Sequence, residues 1–167
     1  MSSAVSTRRC GGSWPSRLSA CASALRAAAA SRSVAYARDG KLLLSGGHDN
    51  TVRVWNPETG ELVKTLRGHG SWVRACAFSP DGQWALSAGH DNHARLWNIE
   101  GYAESRVLQG KWLRGHDDAI MAVGFAPNGS QVVTASRDRT ARAWDARTGK
   151  LAVTFEEGHA FLASSAA

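Results

Sequence analysis

The stretch GGHDNTVRVWN, from Gly46 to Asn56, recurs twice further along the chain. It returns as AGHDNHARLWN at 88–98 and, more loosely, as ASRDRTARAWD at 135–145. The three copies carry Trp55, Trp97 and Trp144, which are 42 and 47 residues apart. Repeats of this period indicate similar units that bury their apolar faces against one another. The five extra residues of the longer interval fall in GYAESRVLQGKWLRGH, at 101–116, and lengthen a connection or an outer strand.

Each unit contains short apolar runs separated by turn signals. In the middle unit these runs are VRACAFS (73–79), QWALSAG (83–89), HARLWNI (93–99) and the weaker ESRVLQG (104–110). The PDG and HDN sequences between them are typical of tight turns. Four such runs in succession predict an antiparallel meander, and no part of the repeats shows sustained helical periodicity. The fold class is therefore expected to be all-β.

Length and charge limit the classes of partner. The 167 residues suit one domain, and no apolar run is long enough to span a membrane. The formal net charge is +6, but residues 1–38 contain six Arg and no acidic residue, so the remainder is balanced. A balanced repeat region lacks the basic bias of a phosphate-binding face. We therefore expect neither nucleic acid nor a membrane as the partner.

The N-terminal segment differs in composition from the repeats. Residues 1–31 are rich in Ser, Ala and Arg, which predicts a disordered tail. An organelle transit peptide has a similar composition and is one alternative, and an artefactual or truncated gene start is another. Cys10, Cys21 and Cys76 match no zinc or redox spacing, and Cys76 is expected to be a small buried hydrophobe. This cysteine usage favours the cytoplasm.

The motifs of the repeats resemble those of the WD40 family over about residues 32–160. The second unit has GH at 68–69, AFSPDG at 77–82, LSAGHDN at 86–92 and RLWN at 95–98. The third has GH at 115–116, FAPNG at 125–129, VTASRDRT at 133–140 and RAWD at 142–145. The first has YARDG, LSGGHDNT and RVWN but no GH. The resemblance implies a partial β-propeller of about three four-stranded antiparallel blades.

The resemblance also implies the domain organisation and a structural network in each blade. The blades are expected at about 32–67, 68–112 and 113–157, followed by the start of a fourth unit at 158–167. A His, a Ser or Thr, an Asp and a Trp of each repeat are expected to share hydrogen bonds. By position these residues are His69, Ser87, Asp91 and Trp97 in the second blade, His116, Thr134, Asp138 and Trp144 in the third, and Ser45, Asp49 and Trp55 in the first.

The first and last units are incomplete. Each network His lies 28 residues before its Trp, and the residue 28 before Trp55 is Ala27. Asp91 and Asp138 are therefore expected to contact a His, and Asp49 is not. Gly158-His159 opens a fourth unit whose Trp would fall near position 187, beyond the sequence given. Three blades cannot close a ring, which predicts exposed apolar faces.

Two kinds of chemistry compete with this structural interpretation. Ser87, His69 and Asp91 have the residue types of a hydrolase triad, but the set recurs in successive units and no GxSxG accompanies it. The HDNH turn at 90–93 suggests a metal site, yet the other copies of the turn lack its second His. A hydrolase or metal-binding protein therefore stays the alternative to the structural interpretation. The structural interpretation itself expects no catalytic residue, no metal and no cofactor.

The preferred function is a non-catalytic scaffold for protein partners. The resemblance implies that function lies on exposed loops at one end of the blades. Trp72 is the leading candidate for binding a partner, and packing on the adjacent blade is the competing interpretation. For His48, the competing interpretation is an exposed turn residue. A fragment or truncated product is favoured over a chain that self-associates to complete its ring. The candidate face comprises His48, Trp72, Arg74, His90, Met121 and Arg137.

Overall fold

The computed structural model describes residues 31–100, 103–108 and 115–156 of the chain. These residues form three antiparallel sheets of four strands each, and no helix occurs among them. The expected partial propeller of three four-stranded blades is therefore confirmed. The strands are β1 (Ser31–Tyr36), β2 (Leu43–Gly47), β3 (Thr51–Trp55), β4 (Leu62–Arg67), β5 (Val73–Phe78), β6 (Trp84–Gly89), β7 (Ala94–Asn98), β8 (Ala103–Leu108), β9 (Ile120–Phe125), β10 (Gln131–Ser136), β11 (Ala141–Asp145) and β12 (Leu151–Phe155).

Every sheet is a meander in which neighbours in sequence are neighbours in space. Blade one contains β1–β4, blade two β5–β8 and blade three β9–β12. The predicted units include the Gly-His loops that precede the second and third sheets, whereas the sheets themselves begin at Val73 and Ile120. No helix of the described residues is long and apolar enough to cross a membrane.

Turn residues explain the sharp reversals between strands. Gly40, Gly82 and Gly129 have φ angles of 74°, 74° and 69° in the turns between the first two strands of each blade. The next turns place Asn50, Asn92 and Arg139 in the same left-handed region, at 64°, 64° and 71°. Glycine adopts this conformation freely and asparagine tolerates it, but an arginine is strained there. The third blade therefore contains the least favourable turn of its kind.

The blades pack through two different faces. One face of each sheet carries the repeated Trp, and the other, which we call the aliphatic face, carries Leu, Val and Ala. The Trp97 face of blade two packs on the aliphatic face of blade one. The Trp144 face of blade three packs in the same way on the aliphatic face of blade two. Buried members of the two cores include Leu44, Val52, Val54, Leu66, Ala85, Trp97, Leu86, Leu96, Val132 and Trp144.

The two outward faces expose apolar side chains. On blade one, Val34 and Tyr36 are exposed beside the Trp55 face. On the aliphatic face of blade three, Val153 pairs with Ala143 and Phe155 pairs with Ala141, and Phe155 is 51% exposed. Apolar side chains of this size are normally covered by another surface. The outward face of blade one is a Trp face and that of blade three is an aliphatic face, and these are the two kinds of face that pack against each other between the blades.

Several sequence predictions fall on residues outside the described ranges. They are residues 1–30 of the predicted disordered tail, the Ala27 position, the Gly158-His159 start of a fourth unit and part of the 101–116 insertion. Ser31, the last residue of the predicted tail, begins β1. Within the insertion, the backbone of residues 103–108 forms β8.

Candidate functional site

The four network residues of blade two form a continuous chain of hydrogen bonds. His69 lies in the loop before β5, Ser87 on β6, Asp91 in the turn after β6 and Trp97 on β7. His69 Nδ1 lies 2.8 Å from Asp91 Oδ2, and His69 Nε2 lies 2.7 Å from Ser87 Oγ. Trp97 Nε1 donates to Ser87 Oγ at 2.8 Å. The network thereby joins the entry loop to two strands and one turn of the same blade.

The direction of these hydrogen bonds follows from the chemistry of the groups. An indole N–H only donates and a carboxylate only accepts, so Ser87 donates to His69 Nε2 and His69 Nδ1–H donates to Asp91. Burial acts to raise the pKa of Asp91, but the hydrogen bonds and charges around it outweigh burial and lower the pKa to about 2. These partners are His69, the Gly70 N–H and Arg95. Asp91 is therefore ionised at neutral pH.

Blade three repeats the arrangement with a threonine. His116 Nδ1 lies 2.8 Å from Asp138 Oδ2 and His116 Nε2 lies 2.7 Å from Thr134 Oγ1. Trp144 Nε1 donates to Thr134 at 2.9 Å. Burial lowers the pKa of His116, although the charge of Asp138 opposes the shift. The pKa of Asp138 falls to about 2 despite its burial, chiefly because Thr140 and His116 donate hydrogen bonds to it.

Blade one has only part of the network. Trp55 Nε1 donates to Ser45 Oγ at 2.8 Å, as in the other blades. The partners of Asp49 among the described residues are Thr51 and Arg53, both from its own turn and strand. The structure therefore pairs a His with Asp91 and with Asp138, and the hydrogen-bond partners of Asp49 among the described residues include none.

The Ser87–His69–Asp91 geometry resembles a hydrolase triad but is closed to a substrate. Ser87 is completely buried, and its oxygen already accepts the Trp97 N–H. A nucleophile needs an accessible oxygen with room for an attacked carbonyl. The arrangement instead satisfies buried polar groups, as structural networks do.

The HDNH turn does not assemble a metal site. Its His93 Nδ1 contacts the backbone oxygen of Asp91 within the turn, while the Asp91 carboxylate points to His69 and Arg95. Across the part of the chain that the structure describes, no group of three His, Cys, Asp or Glu side chains could hold a metal ion. The geometry thus offers no support for the hydrolase or metal alternative.

A different set of residues lies exposed at the loop end of the blades. Trp72, just before β5, is 44% exposed and stacks on His48 of blade one, with ring centroids 4.2 Å apart and an interplanar angle of 7°. The ring of His90 of blade two is also near, with its centroid 5.3 Å from that of Trp72 and a tilt of 55°. Trp72 therefore packs on the adjacent blade and remains exposed. His48, expected as a simple turn residue, is half-buried by this stacking.

Backbone contacts fix the position of Trp72. The His90 N–H donates to the Trp72 carbonyl at 2.9 Å. A Cβ atom at Gly89 would lie 1.9 Å from the same carbonyl oxygen, so only glycine allows this close approach. Gly89 therefore belongs to the site although it contributes no side chain.

Three arginines lie close enough to interact electrostatically in this region, since Arg74 is repelled by Arg32 and by Arg137. Arg32 Nε donates to His48 Nε2 at 2.6 Å, and Arg74 contacts the Met121 sulfur at 3.9 Å. Arg137 lies beyond them, with its Nε 4.0 Å from a carboxylate oxygen of Asp118. The structure thus brings together all six residues predicted for the candidate face. We call them, with Arg32, the arginine–tryptophan cluster: Arg32, His48, Trp72, Arg74, His90, Met121 and Arg137.

Arg32 is the member that the sequence interpretation missed. It lies at the border of the predicted tail, and its charge was counted with that of the tail. The signal was nevertheless present, because Arg32 precedes Arg74 by the same 42 residues that separate Trp55 from Trp97. Equivalent positions of successive repeats share a place in their blades.

Comparison with known proteins agrees with the repeats seen in the structure. The family described as "WD domain, G-beta repeat" (WD40) matches residues 20–56, 60–98 and 107–145. "Nuclear distribution protein PAC1" of Coprinopsis cinerea is 47% identical over 38 residues, which are 23% of this chain and 9% of that protein. "Nuclear distribution protein PAC1-2" of Uncinocarpus reesii is 57% identical over 35 residues, which are 21% of this chain and 8% of that protein.

The likeness to these two relatives is local, since the match spans less than a tenth of either protein. The family match is broader and covers more than half of this chain in three separate repeats. Each matched segment ends at or just after the Trp-bearing strand of one sheet, and the second and third segments contain the networks of His69 and His116. The chain belongs to the WD40 repeat family.

Proposed function

We propose that this chain is a non-catalytic scaffold that binds protein partners through the arginine–tryptophan cluster. The observation that carries the proposal is the exposed Trp72, which stacks on His48 at the loop end of the blades and is followed two residues later by Arg74. Tryptophan and arginine are the side chains most enriched among residues that dominate binding energy at protein interfaces. The His, Ser, Thr and Asp groups that resemble catalytic residues are engaged inside the blades.

The test is affinity capture of cellular proteins with wild-type chain and two variants, followed by identification of the captured proteins. Trp72→Ala removes the central ring, and Val63→Ala is the control because Val63 is similarly exposed on an outer strand. We expect Trp72→Ala to lose specific partners that Val63→Ala retains, at a temperature at which melting curves show that both variants are folded. Equal capture by the two variants would refute the proposed binding face.

We also propose self-association as a second kind of interaction. Its support is the pair of outward faces with exposed Val34, Tyr36, Val153 and Phe155, which match in type the faces that pack between the blades. Two copies would provide six blades, a number within the range of about 4–8 that closes propellers. Being part of a longer propeller would cover the same faces.

The location we infer is the cytoplasm. Cys76 is buried and free, which suits a reducing compartment. Organelle targeting by residues 1–31 is the competing proposal. Fluorescent fusions with and without residues 1–31 distinguish them, because only a targeting segment would change the distribution when it is removed.

A further inference from the structure

We infer that the arginine–tryptophan cluster binds an acidic segment of a partner protein, with an apolar side chain against Trp72 and carboxylates on Arg74 and Arg137. This inference rests on the proposed function and specifies the chemistry of the partner. It is drawn from the convergence of like charges, the scarcity of acidic partners for them among the described residues and the exposed Trp72 of the same cluster.

The repeat geometry gathers positive charge at one place. Arg32 on β1 and Arg74 on β5 are equivalent positions of neighbouring inner strands, and Arg137 follows β10 of blade three. Burial lowers the pKa of Arg74, and repulsion from Arg32 and Arg137 adds to the effect. An anion placed between these groups would relieve that repulsion.

Among the described residues, few negative groups pair with the three arginines of the cluster. Arg32 donates to an imidazole, and Arg74 contacts a thioether sulfur, which is a weak acceptor. Asp118 is 4.0 Å from Arg137, and both of these side chains are about half exposed. An exposed pair at that distance contributes little, so a partner carboxylate can compete with it. Guanidinium groups bind carboxylates in a bidentate manner, which makes carboxylates the preferred partners.

The His90 imidazole brings a polar side chain to the cluster rather than a further positive charge, because its pKa lies below the ordinary value. Burial lowers the pKa of His90, and the charges of Arg74 and Arg137 lower it further, although Asp118 opposes them. His90 Nε2 is shielded and has no hydrogen-bond partner among the described residues. It therefore provides an unused polar atom beside Trp72.

Trp72 gives the surface an apolar centre. His48 covers one side of the indole ring, yet the residue keeps 44% of its surface exposed. A flat ring held by stacking loses little conformational freedom when a partner packs on it. The arrangement thus favours a segment that combines acidic residues with at least one apolar side chain.

A protein segment fits the charge distribution better than a nucleic acid does. The positive groups form a compact cluster, and residues 39–167 have no excess of basic over acidic side chains. Binding of a nucleic-acid backbone relies on many basic groups along an extended track. The cluster is suited to two or three carboxylates.

The experiment measures fluorescence anisotropy of a labelled 15-residue peptide of Glu, Asp, Leu and Ser (a probe length chosen to span the cluster, roughly 50 Å when extended). A peptide with Lys in place of the acids and a DNA duplex of similar length are the comparison probes. We expect the acidic peptide to bind at least about tenfold more tightly than either. Binding should weaken as salt rises.

Matched variants locate the binding. Arg74→Ala combined with Arg137→Ala should weaken the acidic peptide by about tenfold or more. The control removes two exposed charges elsewhere, through Arg67→Ala and Arg147→Ala, and should retain the affinity. Melting curves establish that both double variants are folded.

Four results of these measurements would contradict the proposals. Equal weakening in the two double variants, or tighter binding of DNA, overturns the acidic partner. Loss of captured proteins in Trp72→Ala without any binding of the acidic peptide also overturns it, while leaving the scaffold proposal intact. If Trp72→Ala changes neither capture nor peptide binding, the binding face itself is wrong.

Discussion

At the scale of single residues, the network serine is predicted to contribute to stability. Ser87→Ala leaves His69 Nε2 and Trp97 Nε1 buried without their partner. An unsatisfied buried group costs about 1–3 kcal/mol, so with two such groups we expect the free energy of unfolding to fall by at least about 2 kcal/mol. Ser45→Ala should cost less, because the described partner of Ser45 Oγ is Trp55 alone. Urea denaturation of both variants measures the difference, and an unchanged midpoint for Ser87→Ala would contradict it.

The network carboxylates predict a loss of stability in acid. Asp91 and Asp138 have folded pKa values of about 2, below the ordinary value of 3.8, so the unfolded chain binds more protons between those values. Their contribution is complete above about pH 4 and is lost as the pH falls towards 2. The lowered pKa of His116 acts with the same sign, beginning below about pH 6.5.

Urea midpoints at pH 7, 5 and 3 test this dependence. Asp91→Asn should lower stability at pH 7 and flatten the fall towards pH 3, because it removes one of the titrating groups. Asp39→Asn is the control, since Asp39 is exposed and lies 4.0 Å from Lys41. Parallel pH profiles for Asp91→Asn and wild type would show that the network does not carry the effect.

At the scale of strands and turns, we predict that a substitution in one turn of the third blade stabilises the chain. Arg139 occupies the left-handed region that Asn50 and Asn92 occupy in the other blades. Asn tolerates that conformation better than Arg, so Arg139→Asn should stabilise the chain by about 0.5–1 kcal/mol. Thermal melting compares it with Arg147→Asn, a change at an exposed turn residue without this conformation. A stabilisation by Arg147→Asn as large as that by Arg139→Asn would mean that charge, and not backbone strain, is responsible.

A second prediction at this scale concerns Gly89, the last residue of β6, which lies against the backbone of Trp72. Gly89→Ala places a methyl group 1.9 Å from the Trp72 carbonyl oxygen, which forces β5 and β6 apart at that point. We expect destabilisation of about 1–3 kcal/mol and a shift in the fluorescence of the exposed indole. Gly70→Ala is the control, because its nearest neighbour would be 3.9 Å away. Equal melting temperatures for the two variants would contradict the close approach.

Sequence reasoning predicts elements better than it predicts contacts between them. Alternating apolar residues and turn signals indicate the four strands of each sheet, because strand period and turn chemistry are local properties. The stacking of His48 on Trp72 joins two blades and has no counterpart in the other repeats, since Ala119 takes the place of Trp72 in blade three. Contacts of this kind depend on how sheets pack, which repeat spacing alone does not determine.

At the scale of the whole molecule, the outward apolar faces predict association. The Trp face of one blade packs on the aliphatic face of the preceding blade, so the first blade of one copy can receive the third blade of another. Phe155→Glu places a charge on the aliphatic face and should convert an associated chain to monomers. Arg147→Glu introduces an acid elsewhere in blade three and should leave the mass unchanged.

Light scattering of the purified chain at several concentrations decides the matter. Association through the outward faces gives a mass that rises with concentration for wild type and for Arg147→Glu, and stays monomeric for Phe155→Glu. The free energy must come from covering residues such as Tyr36 and Phe155, each of which would bury apolar surface at roughly 25 cal/mol per Å². A wild-type monomer that melts cooperatively at every concentration would mean that three blades are stable without completion.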